Sequence, residues 1–191
     1  MRDPVVVLAG GKGSRMGGPK GLVKVGDVPL LLWQWQRLEA AQVRTAILVF
    51  GVHYECYLPF LESLERSKVK PIVVRNPNPD LGPFSSLQVG LHRCSQNAFV
   101  LPIDVMCPSA QVWSSFEAVQ KDFEAVIPYW NHRGGHPVWL SQNLIQRIKQ
   151  SPADGRLDVI LRSLPSSAKY RLEVSEKSVV SNWNDPQSML S

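Results

Sequence analysis

VVVLAGGKGSRMGGPKGL, residues 5–22, decides how the rest of this chain is read. Val5, Val6, Val7 and Leu8 form an apolar run too short for a helix and suited to a strand buried on both faces. The run stops at Ala9-Gly10-Gly11 and gives way to a loop that mixes Gly11, Gly13, Gly17 and Gly18 with Lys12, Arg15 and Lys20. Glycines place no Cβ between peptide N–H groups and an approaching anion, and they accept positive φ. The cations then neutralise charge that the N–H dipoles meet only in part. A strand running into such a loop reads as the start of a phosphate-binding βα unit. The plainer alternative is a glycine-rich turn that binds nothing, its cations being solvated surface.

Two familiar phosphate loops do not fit. A Walker A loop ends in Gly-Lys followed by Ser or Thr, whereas Gly18 is followed by Pro19-Lys20-Gly21. The dinucleotide fingerprint is missed by one residue, because Ser14, Arg15 and Met16 separate Gly13 from Gly17.

Outward from this loop the pattern alternates. Residues 29–42 predict a helix with Pro29 in its first turn and Leu31, Trp35, Leu38 and Ala41 on one face. Residues 45–50 read as a buried strand, 54–66 as a helix despite Pro59, 71–74 as a strand, 84–94 as a helix and 98–103 as a strand. Helices over 112–120, 142–149 and 156–164 follow, with a strand at 125–129, a turn at 131–135 opening a hairpin into 136–140, and closing strands at 170–174 and 178–183. Apolar strands separated by helices predict an α/β fold: three layers, a mostly parallel Rossmann-like sheet with helices on both faces. In such sheets ligands collect beyond the carboxyl ends of the strands. That rule singles out the segments 10–20, 51–53 and 75–86, and Asp104.

A chain of 191 residues at 44% hydrophobic content can bury one good core. We read it as a single domain over residues 1–191, with a nucleotide-binding half to about residue 108 and an acceptor-binding half from about residue 109. No run of 18 apolar residues occurs, so no membrane span is expected. The first strand pattern begins at residue 5, and no leader peptide is expected. Cys56, Cys94 and Cys107 form no close pair and no metal-binding spacing, which suits a reducing, cytoplasmic setting. The net charge of +5 lacks a basic run, so a phosphate-rich small molecule explains the loop cations as well as a nucleic acid does. The expected state is a monomer or weak oligomer.

LAGGKGSRMGGPKGL resembles the signature L-A-[GA]-G-x-x-x-R-M-G-x-x-K of the nucleotidyltransferases that include the molybdenum cofactor guanylyl- and cytidylyltransferases. Sugar-1-phosphate nucleotidyltransferases carry a looser form. The resemblance implies the nucleotide-diphospho-sugar transferase type of this fold. It also implies Mg²⁺-dependent transfer of a nucleoside monophosphate from an NTP to the phosphate of molybdopterin or its molybdenum-loaded form, with release of pyrophosphate. The alternatives are a sugar-1-phosphate nucleotidyltransferase and a non-catalytic nucleotide-binding regulator.

By position in the motif, Leu8, Ala9, Gly10, Gly11 and Lys20 meet the nucleotide, and Arg15 and Lys20 act on its phosphates. Asp104 closes the apolar run 98–103, where a strand delivers a carboxylate to the crevice. A Mg²⁺ ion that keeps few protein ligands needs such a group. A helix cap or surface aspartate is the plainer reading. Asp104 also resembles the family's strand-terminal aspartate before a proline, although Asp104-Val105-Met106-Cys107-Pro108 is two residues longer than the usual D-x-P. Asn182 and Asn184 resemble the family's N-x-N, which helps hold the metal or the substrate phosphates.

The loop from Asn76 through Gly82 to Leu87 corresponds to the segment that frames the base. Leu8-Ala9-Gly10-Gly11 and N-x-N lean towards GTP. Gly51, Asn76 and the Ser85-Ser86-Leu87 run lean towards CTP, so both remain open. In the second half, His136-Pro137 matches the family's G-H-P, and Arg133, Arg156 and His136 are candidates for holding an acceptor phosphate. Trp130 and Trp139 are weaker candidates to flank a planar acceptor.

Overall fold

The computed structural model describes residues 2–11 and 18–183. Among these residues eight strands join one sheet: β1 (Val5–Ala9), β4 (Thr45–Phe50), β5 (Lys70–Arg75), β6 (Ala98–Pro102), β7 (Ala125–Trp130), β8 (Arg133–Gly134), β9 (Val138–Leu140) and β10 (Lys169–Glu173). A separate hairpin pairs β2 (Lys24–Val25) with β3 (Val28–Pro29). Across the sheet the order is β5-β4-β1-β6-β9-β7-β10, with β8 on β7. The pairs β5/β4, β4/β1, β1/β6 and β7/β10 are parallel. β9 is antiparallel to both of its neighbours, so the strands on either side of it point the same way. The expected mostly parallel sheet is present, with two reversed strands, β9 inserted near its centre and the short β8 on β7.

The period of two along the strands sends alternate residues into two cores. Val5, Val7, Leu48, Phe50, Phe99 and Leu101 face one side. There they meet α1 (Leu30–Ala40), α2 (Tyr54–Glu65) and α4 (Ala110–Glu117). Val6, Ile47, Val49, Val100 and Val138 face the other side. They pack on α3 (Pro83–Leu91), α5 (Gln142–Gln150) and α6 (Leu157–Ser163). The predicted stripe Leu31-Trp35-Leu38 is buried along α1. α2 runs through Pro59, where both Glu55 and Pro59 are exposed, so the carbonyl that loses its N–H partner lies on the solvent side of the helix.

The hairpin after β7 forms as expected. Asn131 and His132 both adopt positive φ, 47° and 62°, as a two-residue turn with the twist of a β-hairpin requires. Residues 178–183 do not form the expected closing strand. Lys177–Val180 is a short 3₁₀ turn seated against Gly135 and His136, and only Asn182 pairs further, in a single antiparallel bridge to Val105. Ser178 and Val179 are buried by packing across the edge of the sheet instead of by strand pairing, and Val180 is half-buried.

Candidate functional site

β1, β4, β5 and β6 run the same way, so their carboxyl ends gather along one edge. Beyond the register pair Ala9 and Phe50, two glycine backbones nearly touch. A Cβ on Gly51 would lie 2.4 Å from the Gly10 carbonyl oxygen, and one on Gly10 would lie 3.0 Å from Ser86 Oγ. Glycine at 51 is therefore demanded by close packing, a cause separate from the choice of base that this position suggests in the sequence. Gly11 and Gly18 border the glycine loop, and Lys20 begins a 3₁₀ turn, Lys20–Leu22, beyond it. Gly21 fits under Tyr57, whose ring a Cβ there would meet at 2.8 Å. Its N–H donates to the Tyr57 hydroxyl at 3.3 Å, and burial pushes that hydroxyl up to about 12, so it stays neutral. Arg15 lies outside the described residues.

The segment after β5 is built around Asn76, which is buried to 2% exposure. Its Nδ2 donates to Ser85 Oγ and Ser86 Oγ, both at 2.9 Å, and its Oδ1 accepts the Asn78 N–H at 2.9 Å. Ser85 in turn donates to the Gly82 carbonyl at 2.8 Å. These side chains are committed to one another, so they shape the loop and hold the start of α3. Gly82, at φ 94°, makes the left-handed turn into that helix with open space where a Cβ would stand.

Asp104 follows β6, and its Oδ2 accepts from Lys20 Nζ at 2.6 Å, joining residues 84 apart in sequence. Both side chains are about one-quarter exposed, at 25% and 23%. The bridge between Asn182 and Val105, with the Trp183 N–H donating to the Asp104 carbonyl at 2.7 Å, brings the C-terminal motif beside Asp104. Asn182 is exposed there, and Asn184 lies outside the described residues. Among the described residues no group of three or more His, Cys, Asp or Glu side chains could form a metal cage. One carboxylate on the crevice edge is still the donor set expected for a hard cation that arrives with substrate phosphates. Asp104 is thus a carboxylate of the kind such a cation would use, with Asn182 close by.

Gln34 belongs to no motif, and its one mark in the sequence is that a polar residue stands between Leu31 and Leu38 on a buried stripe. Gln34 is 2% exposed and reaches from α1 to the loop that carries Asp104.

On the other side of the sheet a cavity of about 780 Å³ opens between α3, α6 and the strands. Leu8, Leu87, Val100, Ile127 and Val138 contribute apolar lining, while Arg156, Arg162 and Arg171 add charge. Arg156 and Arg162 both pair with Asp158, and Arg171 lies over the Tyr129 ring at 5.1 Å. Arg133 is exposed on β8, next to the lining residue Gly134. Trp130 and Trp139 do not line this cavity; Trp139 is buried and donates to Asp3 at 2.8 Å.

His136 does line the cavity, and its Nδ1 donates to the Val100 carbonyl at 3.2 Å, leaving Nε2 as the acceptor. Burial lowers its basicity below the ordinary histidine value, against the opposing pulls of the Val100 bond and of Asp104. In the window between the lowered and the ordinary value, near 6.5, the unfolded chain binds a proton that the folded chain refuses. Stability contributed by neutral His136 is thus present above about pH 6.5 and is lost as pH falls below it. The melting temperature of the native chain should therefore drop more steeply from pH 7.5 to 5.5 than that of His136→Gln. Parallel curves would contradict this.

A family model for the MobA-like NTP transferase domain matches residues 5–169. No curated protein matches the chain. Solved structures share the fold across nearly the whole length. Rv0371c of Mycobacterium tuberculosis H37Rv aligns with a TM-score of 0.78 at 19% identity, covering 100% of this chain and 98% of that one. It has also been solved in complex with manganese. HddC of Yersinia pseudotuberculosis, complexed with GMP-PN, aligns at 0.76 with 16% identity, covering 99% and 97%. Molybdopterin-guanine dinucleotide biosynthesis protein A of Archaeoglobus fulgidus aligns at 0.67 with 20% identity, covering 98% and 95%.

Proposed function

The chain belongs to the MobA-like NTP transferase family, a family of nucleotidyltransferases, and from that premise we propose that it moves GMP from GTP to the phosphate of molybdopterin or its molybdenum-loaded form. The observation that carries this reading is the Lys20–Asp104 pair at the carboxyl edge of the sheet. It joins the end of the glycine loop to the strand-terminal carboxylate. In the proposed reaction an acceptor phosphate oxygen attacks the α-phosphorus in line. The P–O bond to it forms as the bond to the β-phosphate oxygen breaks, and pyrophosphate leaves.

The attacking group is already anionic, so no side-chain nucleophile is required, and catalysis rests on positioning and charge. Lys20 is the mobile point charge for the leaving pyrophosphate, and Arg15 is assigned to the same phosphates. The amides of Gly10 and Gly11 face the phosphate chain. Asp104, assisted by Asn182 and Asn184, would hold Mg²⁺, which when bound neutralises charge on the phosphates. When phosphates arrive, Lys20 exchanges its carboxylate partner for them and frees Asp104.

The choice of GTP follows from what the polar groups are doing. Ser85, Ser86 and Asn76 are hydrogen-bonded to one another, and Gly51 answers a steric demand, so the features that leaned towards CTP have a packing role that is independent of the base. Leu8-Ala9-Gly10-Gly11 remains and leans to guanine. The GMP-PN complex of HddC and the name of the Archaeoglobus protein support the same direction. The second half is the proposed acceptor half. The cavity, at about 780 Å³, is of small-molecule size and is shared by both halves: Leu8, Leu87 and Val100 come from the first, and His136, Arg156, Arg162 and Arg171 from the second.

With Mg²⁺ at saturation, GTP at about 100 times its Kd should stabilise the fold by about 2.7 kcal/mol, a rise of roughly 5–10 °C in melting temperature. CTP, UTP and ATP should give less at the same concentration. Pyrophosphate should then appear with molybdopterin and not with a sugar 1-phosphate. Release with the sugar phosphate alone would replace this acceptor, and stabilisation without release on any acceptor would make the chain a nucleotide-binding regulator.

A further inference from the structure

We infer that Gln34 is a positioning residue for Asp104, holding the loop of residues 103–107 in the shape that presents the carboxylate to a phosphate-bound divalent cation. The inference rests on the nucleotidyltransferase reading of Asp104. Gln34 Nε2 donates to the carbonyls of Ile103 at 3.0 Å and Val105 at 2.5 Å, and its Oε1 accepts the Cys107 N–H at 2.8 Å. One buried carboxamide thus satisfies three backbone groups that bracket Asp104 on both sides. Arg37, one helical turn on, donates through Nε to the Cys107 carbonyl at 2.5 Å.

The rest of the loop is held from the opposite side. Ile103 N–H donates to the Leu8 carbonyl at 3.0 Å, Met106 N–H to Ser181 at 3.2 Å, and Trp183 N–H to Asp104 at 2.7 Å. The segment from Asp104 to Pro108 is longer than D-x-P, and a longer loop keeps more backbone freedom unless its polar groups are tied. In this chain α1 supplies the ties. Gln34 lies 70 residues from Asp104 in sequence, so its amide couples the helix after the glycine loop to the metal loop after β6. Buried groups of this kind orient ligands they do not touch, and their loss lowers metal affinity about 10–100-fold.

The test uses the full chain with Mn²⁺ and a non-hydrolysable GTP analogue, read by water-proton relaxation, so that no turnover is needed. Gln34→Met keeps the length and removes the amide. It should need about 10–100-fold more Mn²⁺ for half-maximal enhancement, with metal-free binding of the analogue unchanged. Gln88→Met is the matched control, because Gln88 Nε2 also donates to two carbonyls, Ile148 and Ser151, on the other face of the sheet. It should lower the melting temperature similarly and leave the Mn²⁺ requirement unchanged. Equal shifts in both variants, or none in Gln34→Met, would overturn the inference. If Gln34→Met does not fold, Arg37→Leu takes its place and should shift the requirement in the same direction by a smaller factor; no shift there also overturns it. Absence of any enhancement in the native chain would refute the reading of Asp104 itself, a different failure.

Discussion

Asp104→Asn should lower pyrophosphate release from GTP by about 10³-fold or more while the fold survives. The substitution keeps the size and an oxygen for Lys20, and it removes the negative charge that pairs with Lys20 and that, on the proposed reading, a divalent cation would also use. Losing a single preorganised electrostatic contact to a transition state costs about 10²–10³ in rate, and on the proposed reading the cation's anchor would go with it. Stability should barely move. The Lys20–Asp104 pair is partly solvated, and such pairs contribute about 0–1 kcal/mol, so the melting temperature should change by less than about 4 °C. The measurement is pyrophosphate release in single turnover beside a thermal melt, with Mn²⁺ and Mg²⁺ each titrated to saturation. Release within tenfold of the native rate would remove Asp104 from the centre of the reaction. A collapse of the melt would show instead that the pair is structural.

The largest effect on stability is expected at Gly135. A Cβ there would lie 2.1 Å from the Val179 carbonyl oxygen and 2.6 Å from its carbon, both backbone atoms with no rotamer to escape into. Either β9's approach or the 3₁₀ turn Lys177–Val180 must move. The turn is also tied by the His136 N–H to Val179 at 2.8 Å. Gly135→Ala should therefore cost about 3 kcal/mol or more, roughly 6–12 °C in melting temperature. The displaced turn leads directly to Ser181, Asn182 and Trp183, which brace the Asp104 loop. Metal-dependent release should fall as well, even well below the new melting temperature. A melt within 2–3 °C of native would mean that the two backbones have more slack than their spacing implies. Gly11 offers the contrast, since among the described residues a Cβ there meets nothing within 4 Å.

The G-H-P motif shows how a resemblance can leave a structural role of the same residues unread. Its residues read as acceptor contacts. In the fold Gly135 and His136 also seat the C-terminal segment, and His136 spends Nδ1 on Val100 while lining the cavity. The same holds for the run Ser85-Ser86, legible as a sign of the base and found to be the scaffold of Asn76.

By itself, the sequence determined the alternation of buried strands with amphipathic helices, the parallel central strands, the glycine-cation loop after β1 and the carboxylate after β6. Each of these is written within a few consecutive residues, as a period of two, a period of 3.6 or an abrupt change from apolar to glycine or aspartate. The tertiary structure alone decided that β9 enters the sheet reversed, that residues 177–180 turn instead of extending, and that Asn182 sits beside Asp104. It alone gave Gln34 its three partners and made Gly51 and Gly135 indispensable. These depend on which backbones come within van der Waals contact and on hydrogen bonds that span tens of residues. No local periodicity records them, because a residue's neighbours in the fold are set by the packing of whole elements and not by its own segment.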